Sequence, residues 1–381
     1  MLINGPINAI RLEGSINNIN KIIYVFFDYH SPIGLQTECE SYDSINVIQY
    51  LYNLFKNTSK PIDFFLEIKQ SFIQKEVSPF KNIYIQEIAK MYNKVKFNDK
   101  AKKDIKHNVR FHYLDIRDHL EKFIYTNISI LYNSAKNLRM NKDIFSTEFH
   151  NILDSCTRLI YELDIYKKYF DGNQLARSAN NNNEPKDMIT YFLDKITKKY
   201  KNTDIIKQLK KTYFKDIMKH IDICLDKLKE LQKTVQDKED YVYRYYDEKM
   251  KYTKGDNFNN YINTEELDNF IFHSDKLIEE INYYILYIFC RLTDIYFIRR
   301  FLDKDYITNA ITYTGSAHSI NYINLLVSYF DFKITHYSYS EEKDLDKLNR
   351  IAKTDIKLLD YTLHPQQLIQ CSDLSSFPND F

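Results

Sequence analysis

The segment Ile22-Ile-Tyr-Val-Phe-Phe27 is an unbroken run of β-branched and aromatic residues with no polar position to turn toward water. Such a run reads as a strand covered on both faces, as in a parallel or mixed sheet packed between helices. A chain that contains it must supply neighbouring strands to flank it and helices to cover it. Those neighbours are spread along the sequence. Asn8-Ala-Ile-Arg-Leu-Glu13 alternates, and Gly14-Ser-Ile-Asn-Asn-Ile-Asn20 supplies turn residues, so residues 8–30 read as a hairpin. Asp43 or Ser44 can cap a helix through about Lys56, with Ile45, Ile48, Leu51, Leu54 and Phe55 on one face. Pro61 opens a strand over 62–67, a helix follows near 82–95, and Asn108–Asp115 alternates again. Strand, helix, strand, helix, strand is the pattern of a βαβ sheet.

From about 118 to 302 the periodicity is helical. Gly172–Pro185, rich in Asn, interrupts it, and a second loop is expected from Thr253 to Asn263. Ile206, Leu209, Tyr213, Ile217, Ile221, Cys224, Leu228, Leu231 and Val235 step by three and four, one apolar stripe on a helix over 203–236. Asn263 can cap the next helix, with Glu265 and Glu266 in its first turn. Sheet character returns at Ala310–Thr314 and Phe332–Ser338, with an amphipathic helix over 318–330 between them, and the last segment, ending in SSFPNDF, reads as irregular. The expected fold class is α/β: a small mixed or parallel sheet domain built from both chain ends, residues 1–117 and 303–381, with a large α-helical insertion over 118–302.

Composition narrows the function classes. With 53 basic and 52 acidic residues the net charge is +1, which gives no global attraction to nucleic acid or an anionic membrane. Lys90–Lys106 is basic and Tyr241–Tyr246 interleaves aromatics with charge, but acidic residues dilute the two windows and an AT-rich coding bias accounts for them, so a nucleic-acid partner is not expected. Only six glycines are present, too scattered for a GxGxxG or P-loop phosphate cradle. Cys39, Cys156, Cys224, Cys290 and Cys371 are widely spaced and odd in number, so neither a disulfide framework nor a zinc knuckle is expected. No signal peptide or membrane-spanning run is evident. The expected location is intracellular: cytoplasmic, or host cytoplasm or virion for a viral protein.

The chemistry gathers at strand exits. His30 follows the first buried strand, Glu67 ends the next, and His318 follows Ala310–Thr314. In open α/β sheets ligands collect outside the carboxyl ends of the strands, so these three side chains are candidates for one cleft. Imidazole and carboxylate are the usual ligands of zinc, manganese or iron, which makes His30, Glu67 and His318 a candidate metal set, with Asp28 as a fourth. Without a metal, either histidine could act as general base with Glu67 orienting it. Arg110, Asp115 and Arg117 form a second polar group, in which Arg110 could hold an anionic part of a substrate or form a structural pair. Arg291, Asp294, Tyr296 and Arg299 interrupt an apolar helix and either reach the same cleft or form a solvated edge.

Gly315-Ser-Ala-His318, the following Asn321-Tyr-Ile-Asn-Leu-Leu326, and Phe65-Leu-Glu67 resemble the Gly-x-x-His motifs and glutamate-ended strand of the TraB/TIKI, ChaN and erythromycin-esterase-like superfamily. Phe27-Asp-Tyr-His30 matches the other Gly-x-x-His motif with Phe in the glycine position. The resemblance covers the two chain ends. It implies metal-dependent hydrolysis, ester cleavage or haem binding, depending on the branch, with the histidines and glutamate as functional residues. Asp294-Ile-Tyr-Phe-Ile-Arg299 is similar to a segment in uncharacterised proteins of large DNA viruses. Two expectations follow. One is a metal-dependent hydrolase of a small-molecule or peptide substrate, with His30, Glu67, Arg110 and His318 catalytic. The other is a catalytically inactive relative that binds a protein partner through the helices around 203–300.

Overall fold

A computed structural model describes residues 1–69, 83–97, 108–116, 122–140, 145–171, 193–194, 196–250, 264–367 and 369–380. The expected loops at 172–185 and 253–263, the Asn263 cap and Arg117 lie outside the described residues. In chain order the strands are β1 (Leu2–Asn4), β2 (Asn8–Ile16), β3 (Ile19–Asp28), β4 (Ile45–Asn46), β5 (Ile62–Lys69), β6 (Val109–Asp115), β7 (Asn309–Gly315), β8 (Lys333–Tyr337) and β9 (Cys371–Asp373). The helices are α1 (Val47–Asn57), α2 (Tyr84–Phe97), α3 (Lys122–Met140), α4 (Phe145–Asp171), α5 (Thr203–Leu209), α6 (Lys215–Met250), α7 (Thr264–Leu302), α8 (Ser316–Tyr329), α9 (Leu345–Thr354) and α10 (Ile356–Leu363). The protein is thus an α/β fold with one sheet in the order β6-β5-β7-β3-β2-β8 and a small one in the order β4-β1-β9.

Residue contacts divide the chain into two compact units, one of residues 1–118, 200–208 and 293–381, the other of 119–199 and 209–292. The first therefore takes in 200–208 and 293–302, which lie inside the segment read from sequence as the insertion.

Within the first unit, β2 and β3 form the expected hairpin, in register from Asn8↔Phe27 to Ile16↔Ile19. Asn17 and Asn18 both hold positive φ, 51° and 64°, as a two-residue type I′ turn requires. Strand β7 then enters between β3 and β5 and runs parallel to both, with Phe27↔Thr314 on one edge and Leu66↔Tyr313 on the other. This fixes the side-chain phase. Tyr24, Phe26, Phe64, Leu66, Ile311 and Tyr313 pack with Val47, Leu51, Phe55 and Ile88 of α1 and α2. The alternate residues Val25, Phe27 and Phe65 are also fully buried, with Phe65 edge-on to Phe297 at 5.1 Å and Phe297 4.2 Å from Tyr322 of α8. Both faces are covered, as the apolar run in β3 demanded.

Three local expectations need correction. The cap of α1 is Asn46, whose side chain accepts from the Ile48 N–H at 2.8 Å, while Ile45 pairs with Ile3 of β1 instead of starting the helix. The chain end is not wholly irregular: Asp344 and Asp355 cap α9 and α10 by accepting first-turn N–H groups, and β9 pairs with β1. Cys39 and Cys371 form a disulfide with a Cα–Cα distance of 4.9 Å, although 332 positions separate them in sequence. Linear spacing carries no sign of this bond, because β1 bridges β4 and β9 and so draws the two ends together.

In the helical unit the predicted stripe is buried from Ile217 through Ile221, Cys224, Leu228, Leu231 and Val235. It is not one continuous helix, however. Lys210–Phe214 forms a π turn between α5 and α6. Tyr213 and Phe214 in that turn are both buried. Among the described residues no helix is long and apolar enough to cross a membrane.

The return from α7 into β7 is locked by Lys21 of β3. Its ammonium is buried and donates to the carbonyls of Phe301, Lys304 and Ile307 at 3.1, 2.9 and 2.5 Å. These carbonyls lie at or just past the negative end of α7, so the cation meets acceptors that the helix leaves unpaired. Burial draws Lys21 down to about 8, low for a lysine but still mostly charged at neutral pH. Lys21→Met should leave the buried Phe301 and Ile307 carbonyls short of a donor, while that of Lys304 keeps the Ile307 N–H, and destabilise the fold by about 2–4 kcal/mol, read as a lower urea midpoint.

Candidate active site at the strand ends

The adjacency of β3, β7 and β5 places Asp28, Gly315 and Glu67 side by side at their carboxyl ends. Glu67 falls where the β5–β6 register slips, between Leu66 and Lys69, and such irregularities re-aim side chains at strand exits. Its Oε2 accepts from the Gly315 N–H at 2.7 Å. His318 lies in the first turn of α8, immediately after β7, and its Nε2 is 3.4 Å from Glu67 Oε1. His30 approaches from the other side, Nε2 to Glu67 Oε2 at 3.6 Å. His30 reaches this position through a left-handed backbone turn, φ 55°. Phe27, in the glycine position of its motif, points into the core and does not obstruct it.

Each imidazole is held from behind. His30 Nδ1 donates to Asp28 Oδ2 at 2.5 Å, and His318 Nδ1 donates to Asp294 Oδ1 at 2.6 Å, since a carboxylate can only accept. Asp28 also accepts from Tyr313 Oη at 3.1 Å, and Asp294 from Asn321 Nδ2 at 3.1 Å. The result is a chain of alternating carboxylates and imidazoles, Asp28–His30–Glu67–His318–Asp294, with Glu67 at its centre. Asp28 and Asp294 are buried, Glu67 and His318 nearly so, and His30 is the open member, its side chain 42% exposed.

Gly315 is required by the approach of two of these groups. A Cβ at this position would lie 2.9 Å from His30 Nε2 and 3.4 Å from Glu67 Oε2. That is the physical content of the glycine in Gly-x-x-His here: the backbone must come close enough to donate to Glu67 without pushing His30 away.

The electrostatics follow from the packing. Burial works against a charge on His30, but its bonds to Asp28 and Glu67 outweigh burial and raise it to about 10. Burial likewise opposes ionisation of Glu67, yet the charge of His318, the approach of His30 and the Gly315 N–H bring it down to about 2.

Other candidates are placed elsewhere. Arg110 does not join the site. It is the second residue of β6, in register with Asp63 at the opposite end of the strands from Glu67, and four residues of strand span about 13 Å. There it donates to both Asp63 oxygens at 2.8 and 2.5 Å, and His112 Nε2 bonds the same carboxylate at 2.7 Å. Its partner is therefore Asp63, while Asp115 lies opposite Lys69. Of the polar group on α7, Asp294 reaches the site. Arg299 stacks over Tyr200, and Arg291, in the helical unit, pairs with Asp216 at 3.1 Å. Tyr313 and Asn321 were not singled out by sequence. Asn321 had a findable signal, three residues after His318 and hence on the same helix face.

In the metal-free protein the charged His30 stabilises the fold fully below its unfolded value of 6.5, and that contribution is lost as pH rises through about 10. Glu67 contributes above 4.5, and its contribution is lost as pH falls toward about 2. Stability should therefore decline from pH 6.5 to 10 by chemical denaturation, and less steeply in His30→Gln. Gly315→Ala should fold, displace the imidazole, and move the His30 titration seen by NMR from near 10 back toward 6.5.

The comparisons place the chain among viral proteins, in line with the likeness of the Asp294–Arg299 segment. It is 31% identical to uncharacterised protein R706 of Acanthamoeba polyphaga mimivirus, over 100% of this chain and 97% of that protein. Uncharacterised protein R161 of the same virus is 33% identical over 100% of this chain and 98% of its own length. Uncharacterised protein R129 is 39% identical over 37% of this chain and 88% of its own. No solved structure matches. None of these relatives carries a TraB, ChaN or erythromycin-esterase name. The family of unknown function DUF5847 matches residues 1–381, and the chain belongs to that family.

Proposed function

We propose that this protein is a divalent-metal-dependent hydrolase, with His30, Glu67 and His318 as the metal-holding residues. The observation that carries the reading is the state of the two imidazoles. Both have Nδ1 tied to a carboxylate, which fixes the tautomer, aims Nε2 at Glu67 and raises its basicity, as the outer partners of metal-bound histidines do. The separations of 3.4 and 3.6 Å between the Nε2 atoms and Glu67 are close to the roughly 3.3 Å kept by two donors that each sit about 2.0–2.1 Å from one ion.

Among the described residues no group of three or more His, Cys, Asp or Glu side chains stands in metal-holding geometry, so an ion would have to draw these three together. The histidines meet different oxygens of Glu67, so the donors converge in pairs. The donor set of two nitrogens and a carboxylate suits zinc, manganese or iron. A bound ion would supply Lewis-acid activation for hydrolysis. The chain's own residues do the rest. Asp28 and Asp294 hold the rings, the Gly315 N–H orients Glu67, and the exposed edge of His30 is the side open to a small-molecule or peptide substrate. Arg110, paired with Asp63, has no part in this mechanism.

A second reading, an inactive relative that works through a protein partner, draws on Tyr161, Phe272 and Tyr283, exposed apolar side chains of the helical unit.

Elemental mass spectrometry of the natively purified protein should find about one equivalent of zinc, manganese or iron, absent from a folded His30→Ala/His318→Ala variant. Because an ion must displace the proton on His30, affinity should rise with pH and uptake should release protons, visible as buffer-dependent heat in calorimetry. No metal in either protein, after incubation with each ion in turn, would reject the hydrolase reading and leave the partner-binding one.

A further inference from the structure

The segment that follows His30 is lightly anchored. Of residues 29–44 none is buried, and Leu35 and Tyr42 are among the most exposed apolar side chains of the protein. His30 is bonded to Asp28 and Ile33 packs against the core, but the other described ties of the segment to the rest of the unit are few: the Gln370 N–H to the Thr37 carbonyl at 2.9 Å within a one-residue bridge, the Cys39 N–H to Asn4 Oδ1 at 2.8 Å, and the Asn4 amide to Ser44 Oγ at 3.1 Å. Segments with little apolar contact and exposed hydrogen bonds open at small free-energy cost. One covalent tie is added to these, the bond from Cys39 to Cys371. Cys371 is on firm ground. It pairs with Asn4 in β1, its neighbour Ser372 donates to the Pro6 carbonyl at 2.9 Å, and the Gln370 carbonyl accepts from Gly5 at 3.0 Å.

We propose that the Cys39–Cys371 disulfide is a redox-controlled staple that holds the His30 segment in place, so that reduction loosens this side of the candidate site. Both cysteines line a cavity of about 580 Å³ with Leu2, Glu40, Tyr339 and Pro365, through which a small dithiol reaches the sulfurs. Of the other thiols, Cys156 and Cys224 are buried in the helical unit, where burial raises both, Cys156 to about 12, while Cys290 is partly exposed and is told apart from Cys39 and Cys371 by peptide mapping. The step balances as ordinary exchange. A thiolate of the dithiol attacks one protein sulfur, the other protein sulfur leaves as thiolate, and the second thiol of the reductant closes its own disulfide and frees the first. Two protein thiols form, and the dithiol is oxidised by two electrons. The consequence for metal rests on the hydrolase reading. The loosening itself does not.

The experiment uses the full chain, purified in air and then treated or not with dithiothreitol. Peptide mapping after alkylation should find Cys39 and Cys371 bonded in the untreated protein. Hydrogen exchange across 31–44 should rise at least about tenfold on reduction, with residues 8–28 unchanged. Cys39→Ser/Cys371→Ser should show the fast exchange without reductant, and should it not fold, the reduced wild type carries the test. Free Cys39 and Cys371 in the untreated protein, or exchange over 31–44 indifferent to reduction, would overturn the proposal. Metal titration of both forms separates the two ideas. Weaker binding on reduction is expected if both hold, whereas no binding in either form counts against the hydrolase alone, with the exchange result still deciding the staple.

Discussion

Everything at the candidate site depends on the parallel pairing of β7 with β3 on one edge and β5 on the other. Without it, the hairpin and β5–β6 are separate pieces of sheet, and Asp28 and Glu67 have no strand between them. With it, the strand brings three things at once: the Gly315 N–H that orients Glu67, the Tyr313 hydroxyl that reaches Asp28, and the start of α8 that presents His318. The site is thus a by-product of sheet completion, and sheet completion is driven mainly by burial. Tyr313, Ile311 and Phe64 are fully covered, and each buried side chain of that size contributes about 2–3 kcal/mol relative to exposure.

The carboxylate–imidazole chain is the polar counterpart of that core. A buried carboxylate is tolerated only when charge and hydrogen bonds answer it. Glu67 meets His30, His318 and the Gly315 amide, Asp28 meets His30 and Tyr313, and Asp294 meets His318 and Asn321. Such a network is stable only as a whole, because removing one imidazole leaves a buried charge behind. The Asp63 cluster at the other end of the strands obeys the same rule with Arg110 and His112, but there the guanidinium is committed to both oxygens of one carboxylate. Two polar clusters on one sheet therefore differ in kind: one is closed by a permanent cation, the other by two imidazoles, groups whose charge depends on protonation.

Much of this was legible in the sequence, and the limits are physical. The apolar run Ile22–Phe27 and the helical steps after Ile217 survive into structure because they reflect burial, whereas the alternation in 109–115 marks a strand whose Val109, Phe111 and Tyr113 are only half-buried while His112 and Leu114 are buried. The meeting of His30, Glu67 and His318 was readable because parallel strands share a carboxyl end. Arg110 was misassigned although its place was legible: it stands near the amino end of 109–115, and parallel strands put that end away from the exits of β3, β5 and β7. Asp294 could be noticed but not placed, for an acid on an apolar helix is equally a solvated edge. The Cys39–Cys371 bond was invisible, since β1 and β9 are three residues each, too short to leave a period.

The distance in sequence between the halves of the site is less of an obstacle than it looks. Closing a longer loop raises the entropic cost only logarithmically, so a large helical segment between β6 and β7 costs little more than a short connection. The difficulty lies in order. The hairpin can form locally, but Glu67 has no amide donor from β7 and His318 no place until the chain returns. Lys21 addresses that return, since the ammonium that caps the end of α7 belongs to β3, beside which β7 must dock. The last residues complete the closure: Asp380 accepts from Arg11 at 2.6 Å and from Tyr24 at 2.9 Å, binding the C-terminal segment across the first hairpin. Chain ends that must stay together to hold one site are tied by strand pairing, by ion pairs and by a disulfide. Of these three, the disulfide is the one that a change in redox state can undo while leaving the sheet intact.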